Sequence, residues 1–184
     1  MRLCAVLLNP PLGSSPDTVT VRNAAVASHV LGASEWVIGN LVDRPTRDLP
    51  ELNEVGVAQE MWVTSRPLLG EEMATADALL FGWGVGGFTL SARSHFQRQV
   101  LWVLDEARRM GLTSGWTLGG LPRHPSRWRQ YLGPQRNLFD GGSFEDRLRR
   151  ALVPTPLDEL KPPYNKPGRI EAGLSRGIPR ERTV

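Results

Sequence analysis

One cysteine in 184 residues excludes an internal disulfide. Cys4 lies inside an apolar run, Leu3 to Leu8, and is read as a small buried hydrophobe in a protein of the reducing cytoplasm. Apolar runs of membrane-spanning length are lacking, so no membrane partner is expected. The N-terminal run is short, with neither a charged lead nor a cleavage pattern, so no secretory leader is expected either. Histidine is scarce: His29, His95 and His124 are far apart, with no cysteine or acid at ligand spacing, and neither a metal nor a cofactor is expected. Ser91 and Ser126 are read as having no neighbouring base, so no nucleophilic triad is predicted.

Charge of one sign is not in excess overall, the formal balance being +3, but its placement is uneven. Between Arg123 and Arg136 stand four arginines (Arg123, Arg127, Arg129, Arg136) and no acid, interleaved with Trp128 and Tyr131. Cations mixed with stacking surfaces suit nucleic-acid binding; a solvated basic loop has the same composition. From Pro154 to Val184 large apolar side chains become rare while proline, glycine and charge dominate. The composition therefore divides the chain into a domain over residues 1–153 and an extended tail over 154–184.

Within the domain, short apolar runs alternate with helical patterns. Strands are predicted at Leu3–Leu8, Trp36–Gly39, Ala78–Phe81 and Gly115–Leu118. Helices are predicted at Val19–Leu31, capped from the Ser14–Thr18 turn and ended by Gly32, and at Ser91–Met110, closed by Gly111. Another is predicted at Ser143–Leu152, with Ser143 as cap and Asp146 completing a capping box. Helical character between Leu52 and Ser65 is weakened by Gly56, and Pro67 is expected to break it. This order implies a three-layer α/β/α fold with a central, mostly parallel four-stranded sheet. Ligands of such sheets bind beyond the carboxyl ends of the strands.

Those ends carry a distinctive set. Asn9 is held between an apolar strand and Pro10-Pro11, Asn40 ends the second strand, and Gly82-Trp83-Gly84-Val85-Gly86-Gly87 follows the third. His124-Pro125-Ser126 follows the fourth. The carboxamide of Asn40 has a donor and an acceptor with which to read the edge of a pyrimidine. His124 is placed to face a developing oxyanion. Each also has a plain structural reading: turn caps for both asparagines, a backbone-bonded imidazole for His124. The glycine run contains Gly-x-Gly-x-x-Gly, but the next strand ends in Leu118-Gly119 rather than an acid, so it reads as a wall for a planar ligand and not as a dinucleotide site.

Leu8-Asn9-Pro10, Asp17 with Thr20 and Arg22, Asn40-Leu41 with Arg44 and Thr46, Trp83-Gly84, and Thr117-Leu118-Gly119 leading to Pro122-Arg123-His124-Pro125 together resemble the domain-of-unknown-function family 1643. More loosely, the order of motifs is similar to the uracil-DNA glycosylase superfamily, in its mismatch-specific and thymine-type branches. That resemblance implies a uracil-DNA glycosylase-like fold, with Asn9 positioning the attacking water and Asn40 reading the base. It implies further that His124 and Ser126 lie at the departing base, and the arginine-rich loop with Arg123, Arg127 and Arg129 is then expected to hold DNA, with the Trp83-Gly84 wall as the surface for the planar ligand. The function expected is binding of nucleic acid or a nucleobase, with hydrolysis of the N-glycosidic bond of a flipped base. Two alternatives stand beside it: a non-catalytic module for a modified base, and an enzyme acting on a small nucleotide or nucleoside.

Overall fold

Along Arg2–Leu7 (β1) side chains alternate between two apolar environments, and only the first residue is less than fully covered. Cys4 and Val6 enter one core cluster; Leu3, Ala5 and Leu7 enter the other. A strand covered on both faces must lie inside a sheet sandwiched by helices. The computed structural model, which describes residues 1–12, 17–133 and 141–163, has this arrangement. Glu35–Asn40 (β2), Ala78–Gly82 (β3) and Ser114–Leu118 (β4) complete the parallel part of a five-stranded sheet, with Leu152–Pro156 (β5) antiparallel at its edge. The strand order is β2-β1-β3-β4-β5. Burial also pushes the Cys4 thiol up to about 12, so it behaves as a hydrophobe and not as a nucleophile.

Val19–Val30 (α1) is capped by Thr18, whose Oγ1 accepts the Val21 N–H at 3.2 Å. Leu49–Val55 (α2), Glu60–Val63 (α3) and Arg66–Ala74 (α4) precede β3, and Leu90–Arg109 (α5) follows it. The broad apolar stripe of α5, including Phe96, Val100, Val103 and Leu104, packs with α2, α3 and α4 in the Cys4 cluster. Trp128–Tyr131 (α6) and Phe144–Ala151 (α7) join α1 on the opposite face. The capping box of α7 is present: Asp146 N–H donates to Ser143 Oγ at 3.1 Å, and Ser143 N–H donates to Asp146 Oδ2 at 2.8 Å.

Three elements differ from the sequence reading. The sheet has five strands because β5 forms where a tail was expected; Pro154, the expected start of that tail, lies within it. The chain then turns through Leu157–Leu160, whose two leucines are buried. Burying side chains of that size contributes about 1.5–3 kcal/mol each, enough to hold a proline-rich segment on the body. The single weak helix expected over Leu52–Ser65 is two short ones, α2 and α3, and α4 follows directly at Arg66. Gly56 ends α2, and Pro67 occupies the first turn of α4, where a missing N–H costs nothing, so it starts a helix rather than breaking one. Ser14–Pro16 of the first turn, Arg136 and the tail beyond Pro163 lie outside the described residues. Among the described residues no helix is long and apolar enough to cross a membrane.

In this strand order β1 and β3 are neighbours, while the chain leaves β1 toward β2 on one side and β3 toward β4 on the other. Loops that diverge from adjacent strands leave a crevice at their carboxyl ends.

Candidate functional site

A cleft of about 610 Å³ occupies that crevice. All four parallel strands feed it: Asn9 follows β1, Thr46 to Asp48 follow β2, Trp83 to Gly86 follow β3, and Arg123 to Arg127 follow β4. Its volume is that of a small-molecule or nucleotide site, typically about 300–1,000 Å³.

Asn9 is tied to the loop after β2. Its Nδ2 donates to the Pro10 carbonyl at 3.1 Å, to Thr46 Oγ1 at 3.1 Å and, more weakly, to the Thr46 carbonyl at 3.4 Å. Carbonyl oxygens only accept, so these partners set which end of the carboxamide is nitrogen. Thr46, itself 6% exposed, thus holds the Asn9 side chain by its nitrogen, while the oxygen accepts no hydrogen bond among the described residues.

His124 caps the short helical turn Pro125–Arg127: its Nδ1 accepts the Ser126 backbone N–H at 3.3 Å. The Ser126 hydroxyl lies 2.8 Å from the same nitrogen. An Nδ1 that accepts a backbone N–H carries no proton, so the neutral ring carries its proton on Nε2. Burial, reinforced by the nearby Arg127 charge, lowers the imidazole to about 4, which keeps it neutral over the physiological range. Ser126 therefore does have a base beside it, contrary to the sequence reading. Both its N–H and its hydroxyl converge on Nδ1, which makes the pair a turn cap rather than the nucleophile–base–orienter chain of a triad.

The turn is held from three sides. Asn23, a 1% exposed residue of α1, donates its Nδ2 to the Pro125 carbonyl at 2.7 Å. Trp128 Nε1 donates to the Arg123 carbonyl at 2.7 Å, and the Gly84 N–H donates to the Pro122 carbonyl at 2.6 Å. Gly84 makes that contact with φ +93°, a backbone region in which a side chain is strained. Gly82 lies against the same turn, since a Cβ there would meet Pro125 Cδ at 3.2 Å.

The arginines divide. Arg123 and Arg127 line the cleft, as does Arg47. The Arg123 guanidinium lies over the Tyr131 ring, 4.0 Å from its centroid. Its Nε is buried without a hydrogen-bond partner among the described residues. Arg129 faces elsewhere, over the Phe144 ring at 4.3 Å. Trp128 is 0% exposed and lies in the core; Tyr131 is also buried there but forms part of the cleft lining, so neither is the open stacking surface expected. The sequence reading missed this because Trp128 and Tyr131, read as aromatics among arginines, are three apart on α6 and share one face of it. Trp83 lines the cleft yet is fully buried, packed 4.7 Å from Phe81, and so serves as a wall.

Asn40 does not join this group. It lines a separate cavity of about 280 Å³ with Pro10, Asp43 and Glu72, and its Oδ1 is buried without a hydrogen-bond partner among the described residues. β2 is an edge strand, so its carboxyl end stands one strand away from the crevice between β1 and β3.

Three residues of the cleft system carried no role in the sequence. Asn23 had a signal, a carboxamide on the buried stripe of α1 beside Ala24 and Ala27. Asp48, the N-cap of α2, accepts the Glu51 N–H on Oδ1 at 3.0 Å, and Asp-x-x-Glu is a readable cap. Thr46 has no signal of its own beyond the Arg44-x-Thr46 motif. Among the described residues no His, Cys, Asp and Glu set has the grouping of a metal site. Comparison with family models, with curated proteins and with solved structures found no match to this chain.

Proposed function

We propose that this is a cytoplasmic DNA-binding protein of the uracil-DNA glycosylase-like type, which holds a flipped, modified or mismatched base in the cleft and hydrolyses its N-glycosidic bond. The observation that carries this reading is that Asn9 and His124, from opposite ends of the domain's sequence, line one cleft together with Arg47, Arg123 and Arg127.

The chemistry fits the groups. Departure of a base from a sugar separates charge into an oxocarbenium-like sugar and an anionic base. The neutral His124 presents an Nε2–H, which donates to the base oxygen as negative charge develops there. One such donor in a partly dehydrated site is worth roughly 10²–10³ in rate. The Asn9 oxygen accepts from water and orients it toward the anomeric carbon. Arginines at the mouth neutralise phosphates on either side of the flipped nucleotide.

Duplexes containing uracil, mismatches or modified pyrimidines, incubated with the protein and then treated to cleave abasic sites, test this. Strand cleavage that Asn9→Ala and His124→Ala abolish supports the reading; no base release from any duplex overturns it. A second reading, a base-binding module without catalysis, is favoured by one detail. Asn9 Nδ2 is wholly engaged with Pro10 and Thr46, a structural use that binding alone would need. Salt-sensitive DNA binding without base release, weakened in Asn9→Ala, selects it.

A further inference from the structure

We propose that Asp48 is the base that takes the proton from the attacking water, an inference that rests on the glycosylase reading above. Among the described residues Asp48 is the one carboxylate that lines the cleft. It stands two residues beyond Thr46, the residue bonded to the Asn9 side chain, so a single loop holds the water-orienting group and carries the carboxylate. Capping α2 uses Oδ1. Oδ2 makes no hydrogen bond or ion pair among the described residues.

The neighbouring charge is already neutralised by another residue. Glu51 Oε2 accepts both the backbone N–H of Arg47, at 2.8 Å, and its Nε–H, at 3.3 Å. Arg47 is therefore paired with Glu51 and not with Asp48. A cap needs no charge, because Ser, Thr and Asn serve as well as Asp. In a cleft lined by three arginines an unpaired carboxylate disfavours a phosphate in its own vicinity. It favours a cation, and the sugar becomes one at the transition state.

The step balances without a co-reactant. The water oxygen bonds to the anomeric carbon, the bond from that carbon to the base nitrogen breaks with its electron pair going to the base, and the water proton passes to Asp48 Oδ2. The base, held by His124, leaves as an anion and takes up a proton, and Asp48 returns its own to solvent.

Asp48→Asn keeps the cap and removes the charge. Two probes are used: a duplex with a neutral tetrahydrofuran abasic site, and one with a cationic pyrrolidine in its place. The wild-type protein is expected to bind the cationic duplex at least tenfold more tightly, since such mimics gain affinity from groups that act at the transition state. Asp48→Asn is expected to lose that preference, to bind the neutral duplex unchanged, and to release base ~10²-fold more slowly. Equal preference and equal rate in Asp48→Asn, with release still abolished by Asn9→Ala, overturn the role of Asp48 and leave the glycosylase reading standing. No release and no preference for the cation in the wild type overturn both.

Discussion

The Ser126 backbone N–H donates to Nδ1 of His124, and the ring is held far below its ordinary value, at about 4, by burial first and the Arg127 charge second. The unfolded chain has no such restraint, so between pH 6.5 and about 4 it binds a proton that the folded protein does not. Stability is therefore expected to fall as pH drops through that window and to lose nothing further from this group below it. His124→Asn retains an acceptor for the Ser126 N–H and removes the titration. Urea midpoints at several pH values should decline less steeply in the variant than in the wild type; parallel declines would count against it.

Thr46→Val removes the hydroxyl acceptor from Asn9 at nearly constant shape. A buried hydrogen bond of this kind contributes about 0.5–1.5 kcal/mol, so a small drop in denaturation free energy is expected. A larger effect is expected on ligand binding in the cleft, because Asn9 then keeps only its bonds to the Pro10 and Thr46 carbonyls and is held less firmly. Equal losses of affinity and stability would show that Thr46 merely packs.

Asn23→Leu tests the anchor from α1. It removes one of the two donors to the Pro125 carbonyl, which keeps the Trp128 backbone N–H, at a cost of about 0.5–1.5 kcal/mol. Thermal denaturation should register that loss, and DNA binding should weaken as the turn bearing His124 loosens. An unchanged melting temperature would mean that the Trp128 and Gly84 bonds suffice.

Arg127→Ala and Arg129→Ala are expected to differ, although the two residues are neighbours in sequence. Arg127 lines the cleft, whereas Arg129 lies over Phe144. Loss of a phosphate contact lowers the salt slope of DNA affinity by about one, so Arg127→Ala should show that change and Arg129→Ala should not. Fluorescence titrations across a salt series would decide it.

The parallel core was legible because β1 to β4 are short, continuous apolar runs, and because α1, α5 and α7 bring their own caps or periodicity. β5 was not: Leu-Val-Pro-Thr-Pro carries two prolines in five residues, which argues against a strand unless that strand lies at an edge. Within the site, the carboxyl-end rule placed Asn9, Trp83 and His124 correctly in one crevice, since it depends only on strand direction. It failed for Asn40, because which strands are central depends on strand order. Local sequence does not encode order; packing of α4 and α5 against one face and α1 against the other does. The aromatic and basic pattern from Arg123 to Tyr131 misled for a similar reason, since composition does not say which face of a four-residue helix meets the core.

The prolines of β5 fall in register with Ser114 and Trp116, the positions of an antiparallel pair whose N–H groups point away from the partner strand. The bonds from Leu157 N–H to the Thr113 carbonyl and from Gly119 N–H to the Ala151 carbonyl set that phase. On its outward side β5 therefore lacks donors at residues 154 and 156. A strand from another molecule finds carbonyls there but no donors, so half of each pairing is missing and edge-to-edge growth is disfavoured at this margin.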